Sequence, residues 1–247
     1  MAADPMAGTK LQRSRHRLAA LGCVIAAGLV IAGAFGLRAA RAADATVVPP
    51  PKVDDARAPS GVETAVLSGG CFWGMQAVFE HVKGVERVWA GYTGGKAGTA
   101  HYEEVSTGTT GHAESVKIVF DPRAVSYGEL LRVFFSVASN PTELDRQGPD
   151  VGSQYRSEIW YANADQRRIA LAYIAQLERA HVFASPIVTR VDPLGGFYPA
   201  EGYHQDYLVH HPHDPYIVYN DIPKLRNLER YLPAMYRERP VLVAANR

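Results

Sequence analysis

Hydrophobic residues alternate with polar ones in some segments of this chain and recur at helical spacing in others, and the two patterns interleave from Val62 to about Leu228. The helical spacing predicts helices over 72–82, 127–137 and 165–181, with Ser126 as a cap of the second. The alternating or β-branched segments predict strands over 63–67, 85–92, 115–120, 157–161 and 187–191. Because strands and helices alternate, with a hairpin expected between the second and third strands, we expect an α+β or an α/β fold, of which α+β is our choice. In this sandwich-like fold, helices flank a central mixed sheet.

The first 42 residues have a different pattern, typical of a targeting segment. Basic residues from Lys10 to Arg17 precede the uncharged run Leu18–Leu37, and Ala40-Arg41-Ala42 then has the small-x-small form of a signal-peptidase site. An uncleaved membrane anchor is the alternative, since about 20 apolar residues span a bilayer. Both interpretations place the rest of the chain outside the cytoplasm, as a periplasmic or anchored protein.

Residues 43–61 contain Pro49, Pro50, Pro51 and Pro59 without apolar periodicity. This composition predicts an extended, disordered tether. The folded catalytic domain is then expected over 62–228, with a C-terminal tail over 229–247.

Composition and charge exclude several classes of function. The 26 Lys and Arg residues balance 25 Asp and Glu residues, so the chain lacks the basic character of a nucleic-acid-binding protein. Two cysteines without a CxxC pair provide neither a disulfide framework nor a zinc ribbon. The histidines at 204, 210, 211 and 213 lack a cysteine or carboxylate at ligand spacing, so no metal is expected.

Cys71 is the candidate nucleophile. The other cysteine, Cys23, lies in the apolar N-terminal run, so Cys71 has no evident disulfide partner. It falls at or just before the N-terminus of the first predicted helix, where unpaired N–H groups should lower the pKa of a thiol. Gly69, Gly70 and Gly74 should leave room for a substrate to approach. The structural alternative is an inert, buried cysteine.

Phe72 and Trp73 follow the cysteine directly. The structural alternative is that both are core residues, as aromatic residues at a helix start usually are. Adjacent helical positions point about 100° apart, so at least one of these rings should face outward. An aromatic wall beside a thiol suits an apolar or thioether-like group.

Glu114 and His112 precede the third predicted strand and are candidate proton donors or acceptors. To act as an acid at neutral pH, Glu114 requires burial that raises its pKa. Tyr102 and Tyr155 lie in loop-like segments and carry hydroxyl groups that can orient an oxygen atom. Each of these residues, taken alone, fits a structural role as well.

Five motifs occur in order: Gly-Cys-Phe-Trp-Gly at 70–74, Gly-Tyr-Thr-Gly-Gly at 91–95, Gly-His-Ala-Glu at 111–114, Gln-Tyr-Arg-Ser at 154–157 and Tyr-His-Gln-Asp-Tyr-Leu at 203–208. Together they resemble the type A peptide methionine sulfoxide reductases, over residues 62 to about 225. The resemblance implies a mixed sheet with a ferredoxin-like core. It also implies reduction of the S epimer of methionine sulfoxide, free or in proteins, without a bound cofactor.

The resemblance also implies roles for individual residues. Cys71 would attack the sulfoxide sulfur and become a sulfenic acid, while Glu114 would protonate the sulfoxide oxygen. Tyr102 and Tyr155 would hydrogen-bond that oxygen, and Asp150 would order the site.

For substrate binding, the resemblance implies that Phe72 and Trp73 hold the S-methyl group. Many relatives resolve the sulfenic acid with C-terminal cysteines, but residues 214–247 contain none. We therefore expect an external thiol, either a thioredoxin-like protein or a small molecule, to regenerate Cys71. We also expect the protein to be a monomer. A one-cysteine peroxidase and a non-catalytic exported binding module are the alternatives.

Overall fold

The computed structural model describes residues 45–55 and 61–243. Within them, strands and helices alternate along the chain as the hydrophobic pattern predicts. The strands are β1 (Glu63–Gly69), β2 (Val85–Thr93), β3 (Ala113–Phe120), β4 (Arg146–Gln147), β5 (Asp150–Val151), β6 (Ser157–Tyr161), β7 (Arg190–Pro193) and β8 (Tyr198–Pro199). The α-helices are α1 (Phe72–Glu80), α2 (Tyr102–Val105), α3 (Tyr127–Val133), α4 (Ala164–Arg179), α5 (Tyr207–His210) and α6 (Ile222–Tyr231).

The central sheet has the strand order β7-β6-β1-β3-β2-β8, and β4 pairs with β5 separately. β6 and β7 are parallel, whereas the other neighbours in the sheet are antiparallel. The expected α+β fold with a central mixed sheet is therefore confirmed. The core of the fold has the ferredoxin-like strand order β6-β1-β3-β2. Along the chain, α1 lies between β1 and β2, and α3 lies between β3 and β6. The expected pairing of the second and third strands is also present, from Val85 opposite Phe120 to Thr93 opposite Ala113.

Two elements differ from their predicted limits. The helix expected over 127–137 is α-helical to Val133 and then continues as a π-helical turn, Phe134–Ala138. Its predicted cap is present, since Ser126 and Glu129 form a capping box. The strand expected over 187–191 begins at Arg190, because Val188 donates its N–H to the carbonyl of Pro141 and only the following residues reach β6.

Helix α1 packs on the sheet through Met75, Val78 and Phe79, which are all fully buried. These residues join Val88 of β2 and Ile118 of β3 in one hydrophobic cluster. Burying each such side chain contributes about 1.5–3 kcal/mol, so the helix is held firmly against the strands. The residue that precedes this helix is thereby fixed near the C-terminal end of β1, an inner strand of the sheet.

The disorder expected for residues 43–61 does not hold for residues 45–55, which lie against α3 and α4. The side chain of Val48 is fully buried. The carbonyl of Pro49 accepts a hydrogen bond from the hydroxyl of Tyr173 at 2.6 Å, and that of Pro50 accepts one from Nε2 of Gln176 at 2.9 Å. A proline-rich extended chain makes no internal hydrogen bonds, so its carbonyls are available to the helix beside it.

The C-terminal residues up to 243 also pack on the domain and do not form the expected separate tail. Leu228 and Leu232 are buried at the end of α6. Farther along, Arg237 donates its N–H to the carbonyl of His81 at 2.8 Å, and Val241 donates to that of Glu80 at 3.1 Å. The last turn of α1 is thus covered by the chain that follows α6.

None of the helices within residues 45–55 and 61–243 combines the length and apolar character that a membrane span requires. The predicted export segment and Cys23 lie outside the described residues.

Candidate active site

Cys71 lies at the junction of β1 and α1. It is the N-cap of α1, with φ −52° and ψ 124°, and its side chain is buried. The preceding Gly70 has a φ of +94°, a left-handed conformation that a residue with a Cβ seldom adopts. This sharp turn directs the chain from the sheet into the helix and places the thiol at the helix N-terminus.

Glu114 lies on β3, next to β1 in the sheet, and its side chain is almost fully buried. One of its carboxylate oxygens accepts a hydrogen bond from the backbone N–H of Phe72 at 2.9 Å. Burial is the main cause that raises its pKa, to about 8, and the Phe72 hydrogen bond partly opposes this rise. Glu114 therefore carries a proton at neutral pH, as an acid in this position must.

The thiol of Cys71 carries its proton at neutral pH. Burial raises its pKa well above the ordinary range, and the negative charges of Glu114 and Asp221 raise it further. The backbone N–H of Trp73 hydrogen-bonds to the thiol and lowers the pKa, but this effect is smaller than that of burial. The prediction that the helix N-terminus gives a lowered pKa is therefore wrong, because desolvation of the thiolate outweighs the helix N–H group.

Tyr102 and Tyr155 reach the same site from two different loops. Tyr102 begins α2, and Tyr155 ends the 3-10 turn Ser153–Tyr155. Burial is the main cause that raises the pKa of each hydroxyl, and the charges of Glu114 and Cys71 act on both. The fold thus brings both predicted tyrosines near the predicted nucleophile and acid.

Asp150 lies on β5 and accepts a hydrogen bond from the hydroxyl of Tyr216. Burial raises the pKa of Asp150, while this hydrogen bond and the charge of Lys224 lower it. The ring of Tyr216 meets Trp73 edge to face, with centroids 5.8 Å apart. Asp150 is therefore coupled to the aromatic wall through Tyr216.

Phe72 and Trp73 point in different directions, as helical geometry predicts. Phe72 is buried in the main core, in contact with Tyr92. Trp73 is only partly buried and stacks face to face on Tyr207, with centroids 3.8 Å apart and planes 6° from parallel. Trp73 is therefore the more accessible ring beside Cys71.

His204 is a residue of this site that the sequence reasoning did not assign. It is buried, and its Nδ1 accepts a hydrogen bond from Nε1 of Trp73 at 3.1 Å. Its ring packs on Tyr102, with centroids 4.5 Å apart. Glu201, which accepts hydrogen bonds from the hydroxyl of Tyr92 and the N–H of Tyr102, lies 4.0 Å from Nε2 of His204. The motif at 203–208 was the available signal, but no role followed from it.

The glycines around Cys71 make room for the protein's own side chains rather than for a substrate. A Cβ on Gly69 would lie 2.7 Å from the Cβ of Ser139, and a Cβ on Gly70 would lie 2.6 Å from the Cβ of Gln147. A Cβ on Gly74 would lie 2.1 Å from a carboxylate oxygen of Asp221. The expectation that these glycines admit a substrate is therefore corrected by the packing.

The histidines of the C-terminal region do not gather around one point. His204 is buried, whereas His210, His211 and His213 are exposed. In the part of the chain that the structure describes, no three histidine, cysteine or acidic side chains converge as metal ligands.

Comparison with known proteins gives the same family at the levels of sequence and fold. The family described as peptide methionine sulfoxide reductase matches residues 63–234. A relative from Mesorhizobium japonicum, named peptide methionine sulfoxide reductase MsrA 2, is 57% identical over 76% of this chain and 97% of its own length. A protein of the same name from Synechocystis is 50% identical over 74% of this chain and 87% of its own length.

Solved structures agree with the sequence comparison. Methionine sulfoxide reductase A of Corynebacterium diphtheriae has a TM-score of 0.54 and 34% identity, covering 71% of this chain and 90% of its own. Reduced Mxr1 from Saccharomyces cerevisiae has a TM-score of 0.56 and 28% identity, covering 64% of this chain and 91% of its own. The chain therefore belongs to the peptide methionine sulfoxide reductase family and is an oxidoreductase.

Proposed function

We propose that the enzyme reduces methionine-S-sulfoxide, free or in proteins, through a sulfenic acid on Cys71. The observation that carries this proposal is the protonated carboxyl of Glu114, buried and held by the N–H of Phe72, the residue next to the thiol. A sulfoxide oxygen is a poor leaving group until it is protonated. An acid at this position meets that requirement at neutral pH.

In the proposed first half-reaction, the sulfur of Cys71 attacks the sulfoxide sulfur while Glu114 gives its proton to the sulfoxide oxygen. The sulfur–oxygen bond of the substrate breaks and the protonated oxygen leaves as hydroxide, which then attacks the sulfur of Cys71. The bond between the two sulfur atoms breaks in this step, its electron pair goes to the methionine sulfur, and Cys71 is left as the sulfenic acid. The net change is thiol plus sulfoxide to sulfenic acid plus thioether, with two electrons supplied by Cys71.

The hydroxyl groups of Tyr102 and Tyr155 support this step as hydrogen-bond donors to the sulfoxide oxygen. Burial raises the pKa of each, so both retain their protons throughout the working pH range. We assign the S-methyl group to the accessible face of Trp73, which Tyr207 and His204 hold in place. Phe72 contributes the floor of this pocket, and Asp150 orders Tyr216 beside it.

We infer that an external thiol regenerates Cys71, because residues 214–247 contain no cysteine. A first thiol attacks the sulfenic sulfur, forms a mixed disulfide and releases water. A second thiol then releases Cys71 and leaves with the first as a disulfide. Either a thioredoxin-like protein or a small thiol supplies these electrons, and no bound cofactor takes part.

The membership in the reductase family and the pairing of Cys71 with an aromatic wall favour this reaction over a one-cysteine peroxidase. A peroxide needs no pocket for a methyl group. A buried acid beside the thiol likewise argues against an inert binding module. We also propose that residues 1–42 direct the enzyme out of the cytoplasm, which periplasmic fractionation with and without these residues would test.

A stereochemical assay tests the proposed function. With dithiothreitol as reductant, the purified enzyme should reduce the S sulfoxide of a blocked methionine and leave the R sulfoxide unchanged. Cys71→Ser should abolish turnover. Equal rates on the two epimers, or unchanged turnover in Cys71→Ser, would refute the assignment, and faster consumption of peroxide than of sulfoxide would favour the peroxidase.

A further inference from the structure

Asp221 is a fully buried carboxyl group that makes no hydrogen bond of normal length to the described residues. It lies where the π-helical turn Ile217–Asp221 meets α6, and none of its surface is exposed. Neither carboxylate oxygen has a hydrogen-bond partner among the described residues, and the nearest cation, Nζ of Lys224, is 3.8 Å away. An unsatisfied buried carboxylate destabilises a fold, so its presence calls for another explanation.

The position of Asp221 relative to Cys71 provides that explanation. Its carboxylate fills the space left by Gly74, where an added Cβ would lie 2.1 Å from Oδ1. Gly74 is the third residue of α1, and Cys71 is its N-cap. Residues three apart lie on the same face of a helix, so the Asp221 carboxylate lies beside the first turn of α1, on the side where Cys71 begins it. The charge of Asp221 acts on the thiol at this position.

The chemistry at Cys71 requires a group that Glu114 cannot supply. The thiol is protonated in the resting enzyme, and it must lose this proton as its sulfur attacks. Glu114 enters the same step with its own proton, which it gives to the sulfoxide oxygen. A second group must therefore accept the proton of the thiol.

We propose that Asp221 is the proton acceptor for the thiol of Cys71, working opposite Glu114 as the proton donor. This inference rests on the proposed function and deepens it. As the new bond forms between the two sulfur atoms, the S–H proton passes to the carboxylate of Asp221. The proton of Glu114 passes to the sulfoxide oxygen. Asp221 then releases the proton that it took from the thiol, and Glu114 takes up a proton, so both carboxyl groups are ready for the next turnover.

The groups that face Asp221 fit this role. Burial is the largest cause that raises the pKa of Asp221, to about 7. The charge of Lys224 and a weak hydrogen bond from it lower the pKa, and the charges of Asp150 and Asp214 raise it. Burial raises the pKa of Glu114 as well, to about 8, and the charge of Asp221 adds to this rise. Lys224 favours the ionised form of Asp221 and is not among the groups that act on Glu114, so a proton shared by the two carboxyl groups rests on Glu114. Two carboxyl groups with separated pKa values are the usual arrangement of a base and an acid in one site.

The test is Asp221→Asn in the full chain, a change that keeps the shape of the side chain. Purified enzyme is mixed with the blocked S sulfoxide without reductant, and the methionine released per enzyme is followed over time and pH. Between pH 7 and 8 we expect the rate of this single turnover to fall roughly 100-fold, as loss of a general base does. The acidic limb of the wild-type profile, near the pKa of Asp221, should disappear.

A second measurement distinguishes this role from general damage to the helix. The charge of Asp221 raises the pKa of Cys71, so Asp221→Asn should move the midpoint of iodoacetamide alkylation to lower pH while sulfoxide reduction slows. Lys224→Met removes the cation and should shift the acidic limb of reduction to higher pH. Glu80→Gln, which changes a buried carboxyl at the last residue of α1, is the matched control and should keep the wild-type acidic limb.

The inference is overturned when Asp221→Asn reduces the sulfoxide within about threefold of the wild-type rate or keeps the acidic limb. It is also overturned when Asp221→Asn slows reduction and moves the alkylation midpoint to higher pH. Loss of the Trp73 N–H at a disturbed N-terminus of α1 raises the pKa of Cys71, so damage to the helix would then explain both changes. A wild-type enzyme that releases no methionine from the S epimer refutes the proposed function and the inference together. When the wild type reduces the S epimer and Asp221→Asn reduces it at the same rate, the inference about Asp221 fails but the proposed function stands.

Discussion

The carboxylate of Glu114 accepts a hydrogen bond from the backbone N–H of Phe72 at 2.9 Å, and this contact joins β3 to the first turn of α1. It places a buried acid beside the residue that follows the nucleophile. Because burial raises the pKa of Glu114 to about 8, the carboxyl remains a proton donor at neutral pH. The same burial keeps the thiol of Cys71 protonated. The thiol of Cys71 and the carboxyl of Glu114 are therefore both protonated before substrate binds.

Replacing Glu114 by Gln should lower the rate of sulfoxide reduction by roughly 100-fold, the usual contribution of a general acid. In the wild type, the rate should fall as the pH rises through about 8, because Glu114 then loses the proton that it donates. This alkaline limb should be absent from Glu114→Gln. Steady-state rates from pH 6 to 9 with the blocked S sulfoxide measure both effects. Glu178→Gln, at an exposed position of α4, is the control, and an unchanged limb in Glu114→Gln would contradict the role.

His204→Leu should raise KM for the sulfoxide more than it lowers kcat. The substitution removes the acceptor of the Trp73 indole N–H, and a hydrogen bond of this kind contributes about 1 kcal/mol, or roughly fivefold in KM. Trp73 would then lose its fixed orientation beside Tyr207. Kinetics with His213→Leu, at an exposed position, provide the comparison. Equal KM values in the wild type and His204→Leu would show that Trp73 is positioned by other contacts.

Glu80→Gln should make the stability of the fold less dependent on pH. Burial and a hydrogen bond with Asp206 raise the pKa of Glu80 well above its value of 4.5 in an unfolded chain. The protonated carboxyl is favoured in the folded state, so its contribution is complete below pH 4.5 and is lost as the pH rises toward the folded pKa. In this interval the free energy of unfolding of the wild type should fall, relative to Glu80→Gln, by about 1.4 kcal/mol per pH unit.

Urea unfolding of the two proteins between pH 5 and 8 measures this difference. The glutamine can still donate a hydrogen bond to Asp206, so folding should be retained. Parallel curves for the two proteins over the whole interval would mean that Glu80 titrates as in the unfolded chain.

Tyr173→Phe should loosen the proline-rich segment and lower the free energy of unfolding by about 1 kcal/mol. The change removes the hydrogen bond from the hydroxyl to the carbonyl of Pro49 but keeps the buried ring. Thermal unfolding and the rate of proteolysis within residues 45–60 report the effect. Tyr219→Phe, at a residue that is 74% exposed, should change neither. Equal proteolysis in all three proteins would show that the segment is held without this bond.

The predicted and observed elements differ where the limits of a strand or helix depend on residues distant in sequence. The period of the hydrophobic residues predicted β1 and α1 within a few residues, because burial of one face imposes that period on the sequence. The limits of β7 and the π-helical end of α3 were not predictable in this way, since partners distant in sequence set them. Residues 45–55 were misjudged for the same reason. Their composition favours an extended chain, but only the helices beside them show that it is anchored.

In the candidate site, too, local sequence predicts some properties and tertiary packing decides the others. The motifs predict Cys71 and Glu114 as site residues, because few residue types provide a nucleophilic sulfur or a tunable acid. The protonation states were not predictable from the sequence. A helix N-terminus alone lowers the pKa of a thiol, and only the packing around Cys71 shows that desolvation prevails. His204 and Asp221 were missed because no local pattern marks a residue whose partners arrive from another part of the chain.

By itself, then, the sequence of this protein determined the types of chemical group at the site, the order of its elements and the absence of a cysteine after residue 213. The tertiary structure alone decided which groups are buried together and which carry a proton. The physical reason is that local propensities depend on neighbours along the chain. Desolvation and charge–charge interactions depend instead on distance in space, and only the folded sheet and helices set that distance.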